Sequence, residues 1–231
     1  MTEALAGPPA LEETLRRAGH AAARSRGLIP ALLLLHAGLG RGTAVRGADG
    51  WIVAPSRVTR RLWSGEGYVG LPAEDAAEAT PAVLDGLGLT VLRCRTPGPA
   101  AAGPAYGAWV AALAWARLGH SRHLLDLAVA HLGRRTFDGA PLLHRQLVKG
   151  TLADAVVAHL ETESALDGAA SHRAALAEAH ARITTVDREL VRLFGAGGYT
   201  ADGPGRSAHA SELLADVYAG GTPCTRTTTS A

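Results

Sequence analysis

Two short segments of the chain carry residue types that could bind a phosphate-containing ligand. The first begins with the guanidinium of Arg135, which can pair bidentately with a phosphate, and includes the amide of Gln146 eleven residues later. The second is the glycine-rich run Gly195–Gly198. Both segments lie where predicted helices meet, and the free backbone N–H groups at helix ends can hold an anion. The two segments therefore predict a phosphate-binding surface at helix junctions.

The histidines give a weaker signal. His120 and His123 stand three residues apart on one predicted helix and could form a metal pair, but no carboxylate or third histidine stands at a suitable offset. A polar stripe is predicted on the same helix, consisting of Arg117, His120 and Arg122. We expect these side chains, together with His172 and His180, on solvated helix faces. No Ser-His-Asp, P-loop or zinc signature is present, and no metal ligand is predicted.

Helical periodicity after residue 103 supplies the elements that would position both segments. The pattern predicts a first long helix over 104–133, a second that opens at Pro141, a third with Ser171 as N-cap, and a last one over 206–218. Four such helices are expected to pack as an antiparallel bundle.

The spacing of apolar residues also assigns faces to these helices. The stripe of the third helix contains Ile183, Val186 and Leu190. It is expected to face the stripe of the second helix, which contains Leu152, Val156 and Leu160.

The first hundred residues have a different character. A helical pattern over 11–38 is divided into two helices by Gly27 and Pro30. Three strand-like runs follow, each bounded by turn residues, with a short helical insert near 74–84 and a linker at 96–104; the runs are 51–53, 67–71 and 87–95. The expected organisation is an N-terminal helical segment at 1–39, a reduced β-rich region and linker at 40–103, the helical bundle at 104–221 and a flexible tail at 222–231. The predicted fold class is mainly α, with a small α+β region before the bundle.

Composition and charge exclude several classes of protein. The formal net charge of +2 is small and dispersed, which argues against nucleic acid and anionic membrane as partners. The apolar run at 28–39 is too short to span a bilayer. Cys94 and Cys224 lie far apart and form neither a metal spacing nor a disulfide framework. The N-terminus lacks a signal-peptide pattern, so a cytoplasmic location is predicted.

From about residue 105 onward the chain resembles the C-terminal helical domain of the acyl-CoA dehydrogenase family. The family pattern there is Arg-x-x-Phe-Gly-x-Pro, then Gln five residues after the Pro, then Ala-Asp; it is matched by Arg135, Gly139, Pro141, Gln146, Ala153 and Asp154. The family turn Gln-x-Phe-Gly-Gly-x-Gly-aromatic corresponds to residues 192–199. The chain departs from these patterns at Asp138, Arg192 and Ala196, where the family has Phe, Gln and Gly. The resemblance implies an acyl-CoA dehydrogenase-like four-helix bundle in a shortened and degenerate member.

The resemblance also implies FAD as a cofactor, bound weakly or shared with a partner subunit. In the family the Arg and the Gln reach a flavin that is bound mainly by the partner. The cofactor-binding residues implied here are Arg135, Gln146, Arg192, Gly195, Gly197, Gly198 and Thr222. The plain alternative is that Arg135 and Asp138 form a solvated pair at a helix end, and that the glycines simply end a helix.

The catalytic base is where the resemblance fails. Acyl-CoA dehydrogenases remove the α-proton of an acyl thioester with a Glu while hydride leaves to the flavin. Most members carry this Glu after the last helix, where the present chain has Ala219 or Gly220, and a minority carry it near the start of the first long helix, where Trp109 stands. The nearest acids in sequence are Glu212 and Asp216. The catalytic residue is therefore unknown, and a self-sufficient dehydrogenase is not expected.

Three functions remain open on the sequence. The chain could be the base-less subunit of a heteromer that acts on an acyl thioester, linked to CoA or to a carrier protein, beside a full-length dehydrogenase-like subunit. It could be a flavin-dependent oxygenase of the same superfamily, which needs no α-proton base. It could also be a non-catalytic binding or scaffold protein. A bundle without its usual neighbouring domains exposes apolar surface, so a homodimer or hetero-oligomer is expected.

Overall fold

A computed structural model describes residues 13–40, 42–56, 61–63, 68–70, 76–84, 86–95, 103–168 and 172–220. The helices in these ranges are α1 (Glu13–Arg26), α2 (Leu28–Gly38), α3 (Gly103–Arg134), α4 (Gln146–Gly168), α5 (Arg173–Arg192) and α6 (Gly205–Tyr218). The strands are β1 (Thr43–Val45), β2 (Trp51–Pro55), β3 (Arg61–Trp63), β4 (Tyr68–Gly70), β5 (Ala76–Glu78), β6 (Leu89–Cys94), β7 (Thr136–Phe137) and β8 (Ala140–Pro141). Four expectations lie outside the described residues: the N-cap at Ser171, the linker at 96–102, Thr222 and the tail.

The long helix α3 lies at the centre of the molecule. Helices α1 and α2 pack on one side of it and the other bundle helices on the other side. A helix that is covered on every side must carry, on each face, either apolar side chains or polar side chains that have hydrogen-bond partners. Small residues in α3 allow close approach, since a methyl group at Gly119 would overlap the carbonyl oxygen of His20 in α1. The division of residues 11–38 at Gly27 is confirmed, while Pro30 lies inside the first turn of α2.

The bundle of α3 to α6 is antiparallel, as predicted. Tyr106 near the start of α3 donates a hydrogen bond to the carbonyl of Tyr218 at the end of α6, at 3.1 Å. Arg117, three turns further along α3, instead donates to Ser211 in the middle of α6. The two helices therefore run in opposite directions. The predicted boundaries of the first and last bundle helices are confirmed to within one residue at each end.

The start of α4 differs from the prediction. Pro141 belongs to strand β8 of a two-stranded hairpin, and α4 begins only at Gln146. Asp138 and Gly139 form the turn of this hairpin with φ angles of 53° and 75°. Two positive φ angles between paired strands are typical of a type I′ turn, for which Asp-Gly is a preferred sequence. The predicted helix start is wrong because Asp138 and Gly139 form a hairpin turn, which keeps Pro141 in a strand.

One predicted helix face is also wrong in part. Ile183 and Leu190 are buried on α5, as expected. On α4, however, Val156 and Leu160 are 44% and 57% exposed. The buried side of α4 consists instead of Ala155, His159, Thr162 and Leu166, with Leu152 packed beside it. The apolar stripe was misplaced because two members of the true inner face, His159 and Thr162, are polar.

The polar stripe predicted on α3 is not solvated. Arg117 and His120 are 0% and 1% exposed, and only Arg122 of the three is partly exposed. His180 on α5 is buried as well, whereas His172 is exposed. The bundle core thus holds charged and polar side chains that local periodicity assigned to the surface.

The β-rich region forms two small sheets. One has the order β2-β6-β5 with antiparallel pairing throughout, and the other has the order β1-β3-β4, in which β1 and β3 are parallel. The three predicted strand runs are confirmed as β2, β4 and β6. The helical insert near 74–84 is wrong in its first half, which is strand β5, while residues 82–84 form one 3-10 turn.

The end of α6 is tied to this region through one phenol. The hydroxyl of Tyr218 accepts the N–H of Val53 at 3.0 Å and lies 3.1 Å from the carbonyl oxygen of Val45.

Among the described helices, none is long and apolar enough to cross a membrane.

Candidate functional site

The structure brings together the two positions at which the resembled family carries its base. The rings of Trp109 in α3 and Tyr218 in α6 are 5.8 Å apart and nearly perpendicular. Ala219 follows Tyr218 directly, so positions more than a hundred residues apart in sequence meet at one place. The antiparallel packing of α3 and α6 produces this contact. Trp109 and Ala219, the two positions that the resemblance assigned to the base, therefore lie at one place in the fold.

This place is buried, and its ring and hydrogen-bond contacts among the described residues involve no carboxylate. Trp109 also contacts the ring of His36 at 5.1 Å, and Tyr106 donates to the carbonyl of Tyr218. All four aromatic side chains are buried. Their ring and hydrogen-bond partners within the described chain are other rings and backbone groups. We call Tyr106, Trp109, Tyr218 and His36 the aromatic cluster.

His36 is the member of the aromatic cluster with a basic side chain. Its Nδ1 lies 3.1 Å from the carbonyl oxygen of Thr43, and its Nε2 has no hydrogen-bond partner in the described chain. Burial lowers the pKa of His36 to about 4, so the ring is neutral at pH 7 but a weak base. It is only 2% exposed, so no substrate reaches it in this conformation.

The Arg135 segment lies at the other end of α3, on the surface. Arg135 follows the helix directly, its carbonyl accepts the N–H of Leu142 at 2.7 Å, and its side chain is exposed. Gln146 is exposed as the first residue of α4. Between them Phe137 is 65% exposed, and the guanidinium of Arg145 lies 5.0 Å above its ring. The segment presents cations, an amide and an aromatic ring to solvent.

The glycine-rich turn adjoins the same end of α3. The ring of Phe194 lies 5.0 Å from that of His131, one helical turn before Arg135. Gly195 has a φ of 60°, and a methyl group on Gly195 or Gly197 would meet nothing within 4 Å. These two glycines therefore face open space.

Two other predicted members of the turn have internal roles. A methyl group on Gly198 would lie 2.7 Å from the carbonyl oxygen of Val191, so this glycine permits the turn to pack against α5. Arg192 is exposed and paired with Glu189 one turn earlier. Thr222, the remaining predicted cofactor residue, lies outside the described residues.

The structure does not bring the two halves of the predicted site together. Trp109 and His131 are 22 residues apart on one continuous helix, which corresponds to about 33 Å. The aromatic cluster lies near one of these residues, and the Arg135 segment and glycine-rich turn lie near the other. A single copy of the chain therefore does not bring the residues predicted to contact a flavin beside the position predicted for the base.

A pocket of about 530 Å³ lies between α5, α6 and the glycine-rich turn, and we call it the α5–α6 pocket. Its lining residues are Val83, Thr184, Asp187, Arg188, Val191, Arg192, Tyr199, Thr200, Gly205, Arg206, Ala208, His209 and Glu212. Among its lining residues, sequence patterns point only to Arg192, Tyr199 and Glu212. No sequence signal marks the pocket, because it is created by the packing of two helices.

A polar network lies in the bundle core behind this pocket. The guanidinium of Arg117 donates to Ser211 Oγ at 2.9 Å, to Thr184 Oγ1 at 2.7 Å and to His180 Nδ1 at 2.8 Å. Since His180 Nδ1 accepts, its proton is on Nε2, which donates to the carbonyl of Val110 at 3.1 Å. Burial lowers the pKa of His180 to about 3 and that of Arg117 to about 10. The network thus holds a charged guanidinium and a neutral imidazole.

Asp187 joins this network from α5. Its Oδ2 accepts a hydrogen bond from Ser211 at 3.2 Å, and the side chain of Ser121 on α3 is a second hydrogen-bonding neighbour that lowers its pKa. Burial raises the pKa of Asp187 to about 6, and the charge of Arg117 partly opposes this rise. Buried carboxylates with raised pKa values are common at functional sites. Sequence reasoning missed Asp187, which stands in a helix without any motif.

Metal binding finds no support in the described ranges. The rings of His120 and His123 are 6.4 Å apart, but His120 is buried. In these ranges no group of three or more His, Cys, Asp or Glu side chains could hold a metal ion.

Comparison with solved structures identifies the fold. A structure named Tcur3481-Tcur3483 steroid ACAD G363A variant matches 74% of this chain and 56% of its own, with 23% identity and a TM-score of 0.55. Butyryl-CoA dehydrogenase from Megasphaera elsdenii matches 77% of this chain and 59% of its own, with 16% identity and a TM-score of 0.51. Glutaryl-CoA dehydrogenase from Mycobacterium smegmatis in complex with FADH2 matches 78% and 57%, with 17% identity and a TM-score of 0.53. The chain has an acyl-CoA dehydrogenase-like fold, as the resemblance predicted.

The match is limited in two ways that bear on function. The chain spans between 56% and 59% of the length of these three structures. No family model and no curated protein sequence matches it. The chain shares its fold with these proteins. The activity, cofactor and partners of the chain are therefore proposed below.

Proposed function

We propose that the chain is the base-less subunit of a hetero-oligomeric, acyl-CoA dehydrogenase-like flavoprotein, in which it supports the oxidation of an acyl thioester. The observation that carries this proposal is the separation of about 33 Å along α3 between Trp109 and His131. The flavin-contact residues near His131 face solvent, and the base position near Trp109 is closed and has no acid. Such a chain is suited to complete a site on another subunit and unsuited to hold a whole site itself.

The exposed end of α3 fits one part of a flavin cofactor. FAD would supply the hydride acceptor, and Arg135 would pair with its pyrophosphate, since the guanidinium is exposed and forms no ion pair within the described chain. Gln146, at the N-terminus of α4, would offer an amide to a polar edge. Gly195 and Gly197 leave room for a ligand to approach the backbone.

The substitution of Asp138 for the family Phe is compatible with this arrangement. Asp138 occupies a hairpin turn at a φ of 53° and its side chain is exposed, so water screens its charge. Phe137, its neighbour, provides an exposed ring beside Arg145. An aromatic contact to a bound adenine would therefore come from the adjacent strand residue.

The names of two matched structures support a shared or carrier-linked site in this fold. One names two gene products together, Tcur3481 and Tcur3483, and another is the prolyl acyl carrier protein oxidase AnaB. The latter matches 82% of the present chain with 12% identity and a TM-score of 0.51. These proteins motivate the proposal of a hetero-oligomer and leave CoA and a carrier protein both open as the thioester carrier.

A second candidate function is that of a non-catalytic scaffold. The closed packing of Trp109 against Tyr218 and His36 favours it, because a filled base position has no use in any subunit that binds substrate. The two functions differ in whether the chain contributes to flavin binding. No structural observation favours the oxygenase that the sequence left open.

The experiment combines co-expression with a change at Arg135. The chain is co-expressed with full-length acyl-CoA dehydrogenase-like proteins of its own genome, and complexes are isolated by size exclusion. FAD content and acyl-thioester oxidation are then measured. We expect a stable complex in which Arg135→Gln in this chain lowers FAD affinity by about tenfold or more, since a charge-assisted pair is lost.

The matched control is Arg134→Gln, which removes the same charge one residue earlier at an equally exposed position. Equal FAD affinity for the two variants would favour the scaffold. Acyl-thioester oxidation by the isolated chain at ordinary turnover would contradict both functions.

A further inference from the structure

The outer side of α4 carries a line of residues suited to pairing with another helix. Its inner side packs on the bundle through Ala155, His159, Thr162 and Leu166. On the opposite side, six residues follow one another at alternating spacings of four and three, and we call them the α4 seam: Gln146, Gly150, Ala153, Val157, Leu160 and Ser164. This spacing keeps side chains in one line along a helix and is typical of helices that pair in a coiled coil.

The α4 seam is left open by the described chain. Val157 and Leu160 are both more than half exposed. A methyl group on Gly150 would meet nothing within 4 Å, so the helix surface beside it is free. The polar members of the seam, Gln146 and Ser164, stand at its two ends, and its centre is small or apolar. An apolar centre between polar ends is the usual composition of a protein interface.

The sizes of the seam residues fit a second copy of the same helix. In an antiparallel pair of α4 helices whose two-fold axis is level with Ala155, residues at equal distances before and after Ala155 face each other. Gly150 then faces Leu160 of the second copy. Ala153, in the same way, faces Val157 of the second copy. A small residue lies opposite a large one in each case, so the side chains of the two helices can interlock.

One edge of the seam also fits a second copy. Lys149, Val156 and Glu163 stand seven residues apart, which is close to two helical turns, and so lie along the same edge. A two-fold axis between antiparallel helices brings each edge against the same edge of the other copy. Lys149 then lies opposite Glu163, whose carboxylate binds Arg122 and has lone pairs for a second cation. Val156 lies opposite Val156 of the other copy.

The other edge of the seam carries one unfavourable contact. It contains Leu147, Asp154 and Glu161 at the same spacing of seven residues. Asp154 is nearly level with the two-fold axis and lies opposite its own copy, and like charges that face each other weaken association. This arrangement therefore predicts that Asp154 opposes the pairing of two copies, whereas Lys149 supports it.

We propose that two copies of the chain associate through the α4 seam, as an antiparallel pair of α4 helices with the two-fold axis level with Ala155. A second copy is favoured over a different protein because the sizes of the seam residues, and the opposite charges of Lys149 and Glu163, are complementary to themselves under a two-fold axis.

The pairing has a consequence that rests on the proposed flavoprotein function. Helix α4 has 23 residues, which correspond to about 35 Å, and it follows the hairpin of β7 and β8 closely. Antiparallel pairing therefore places the two Arg135 segments at opposite ends of the joined helices. A hetero-oligomer would then contain two copies of this chain, with one partner subunit at each end.

The first test measures self-association of the full chain alone by sedimentation equilibrium. Val157→Glu should raise the dissociation constant of the dimer by about a hundredfold or more, because it buries an unpaired charge in the seam. The matched control is Val129→Glu, which adds the same charge at an exposed valine of α3 outside the seam and should change the constant by about twofold or less. Equal effects of the two changes, or a wild-type chain that is monomeric at about 100 μM, would overturn the proposal.

A second test determines which residues face each other. Gly150→Leu fills the space that Leu160 of the second copy needs, so the dissociation constant should rise by about tenfold or more. Thermal unfolding of the monomer should show an intact fold, since the space beside Gly150 is free within one copy. Adding Leu160→Ala should return the constant to within about threefold of the wild type. Absence of this rescue would overturn the arrangement around Ala155.

The two edges of the seam give a third test. Asp154→Asn should tighten the dimer by about threefold or more, and Lys149→Gln should weaken it by a similar factor. The opposite order would contradict the antiparallel arrangement.

Cross-linking tests the position of the two-fold axis directly. In a Cys224→Ser background, a short bis-maleimide should link two copies of Val156→Cys, and buried Cys94 should not react. Leu147→Cys is the control, because Leu147 is exposed but lies far from its own copy in this arrangement. Linking of Leu147→Cys but not of Val156→Cys would overturn the proposal. These measurements use the chain alone and without FAD, so their outcome is separate from that of the flavoprotein function.

Discussion

Arg117 and Asp187, the two charged side chains that are fully buried in the bundle, interact through Ser211. The hydroxyl of Ser211 accepts from Arg117 Nε at 2.9 Å and donates to Asp187 Oδ2 at 3.2 Å. The three residues come from three different helices, α3, α5 and α6. A single hydroxyl therefore connects opposite charges whose burial would otherwise be unfavourable.

Replacing this hydroxyl should destabilise the bundle. Ser211→Ala leaves Arg117 Nε and Asp187 Oδ2 without their shared partner, and a buried polar group that loses its partner costs about 1–3 kcal/mol. We expect the free energy of unfolding to fall by about 2–4 kcal/mol in urea denaturation. Ser207→Ala on the same helix is the control, since Ser207 bonds only to the nearby carbonyl of Pro204. Equal effects of the two changes would contradict a special role for Ser211.

The imidazole of His120 is a buried polar group whose two ring nitrogens are poorly satisfied. The backbone of Ser207 is its hydrogen-bonding neighbour, and the side chain is 1% exposed. His120→Leu should therefore stabilise the protein by about 1–2 kcal/mol, because it replaces an unsatisfied polar group with an apolar one. His172→Leu, at an exposed position, should change stability by less than about 0.5 kcal/mol. A loss of stability in His120→Leu would show that its ring has a partner.

Stability should fall as the solution is acidified. Burial lowers the pKa values of six histidines in the described chain, and in four of them the fall is large: His36 and His159 to about 4, His120 and His180 to about 3. The unfolded chain binds these protons near pH 6.5, so stability is lost as pH falls from 6.5 towards 4. Asp187 acts in the opposite direction between about pH 4 and 6, but it is one group against four. Each histidine should contribute a loss of about 2 kcal/mol between pH 6.5 and 5.

Urea midpoints at pH 7.5, 6 and 5 measure this dependence. The same series on His120→Leu should show a shallower slope, since one of the four titrating groups is gone. A midpoint that stays constant or rises towards pH 5 would contradict the burial of neutral histidines.

The sequence predicted the bundle well where local pattern alone decides the structure. The boundaries of α3 and α6 and the buried stripe of α5, with Ile183 and Leu190, follow from helical periodicity. The start of α4 was missed because Pro141 is a residue type typical of a first helical turn, whereas Asp138-Gly139 favours a hairpin that places Pro141 in strand β8.

The buried polar residues could not be predicted from local pattern. Arg117 is buried because Ser211, 94 residues later, and His180, 63 residues later, provide its hydrogen-bond partners. Helical periodicity assigns an arginine to the surface because the residue is charged. Its burial, however, depends on hydrogen-bond partners from other helices. The site shows the same limit, since Asp187 and the α5–α6 pocket exist only after α5 and α6 have packed.

The outer surface of α4 should be covered by a partner. Four apolar side chains are exposed on this helix, and we call them the outer α4 face: Leu147, Val156, Val157 and Leu160. A helix that is apolar on its inner and outer sides is normally buried in an assembly. We expect light scattering to show a dimer or larger species at micromolar concentration, and the double change Val157→Glu with Leu160→Glu to give a monomer of unchanged thermal stability.

The control for the outer α4 face is Leu33→Glu, an exposed leucine of α2 that lies outside it. Association that survives the double change, or a monomeric wild-type chain without any partner protein, would contradict an interface at this face.

Restoring an acid at the family position should not create a dehydrogenase. Ala219→Glu would place a carboxylate next to Tyr218, but the rings of Tyr218 and Trp109 are packed 5.8 Å apart and buried, so no acyl group reaches it. The residues proposed to contact a flavin lie near His131, about 33 Å away along α3. The acids nearest in sequence give no substitute, since Glu212 is paired with Arg188 and Asp216 is exposed on α6.

The assay uses the purified chain supplemented with FAD, an artificial electron acceptor and short, medium and branched acyl-CoAs. Wild type, Ala219→Glu and the uncharged control Ala219→Gln should all fail to bleach the flavin, because a base normally contributes a rate factor of about 10²–10⁴ only where substrate is already bound. Bleaching by Ala219→Glu but not by Ala219→Gln would show that the aromatic cluster opens and that only the base was lost. If the wild type bleaches the flavin and Glu212→Gln abolishes this bleaching, the base is Glu212. A chain that completes a site on its partner should give a different result. Bleaching should then require a second, full-length subunit, and Arg135→Gln in this chain should weaken it.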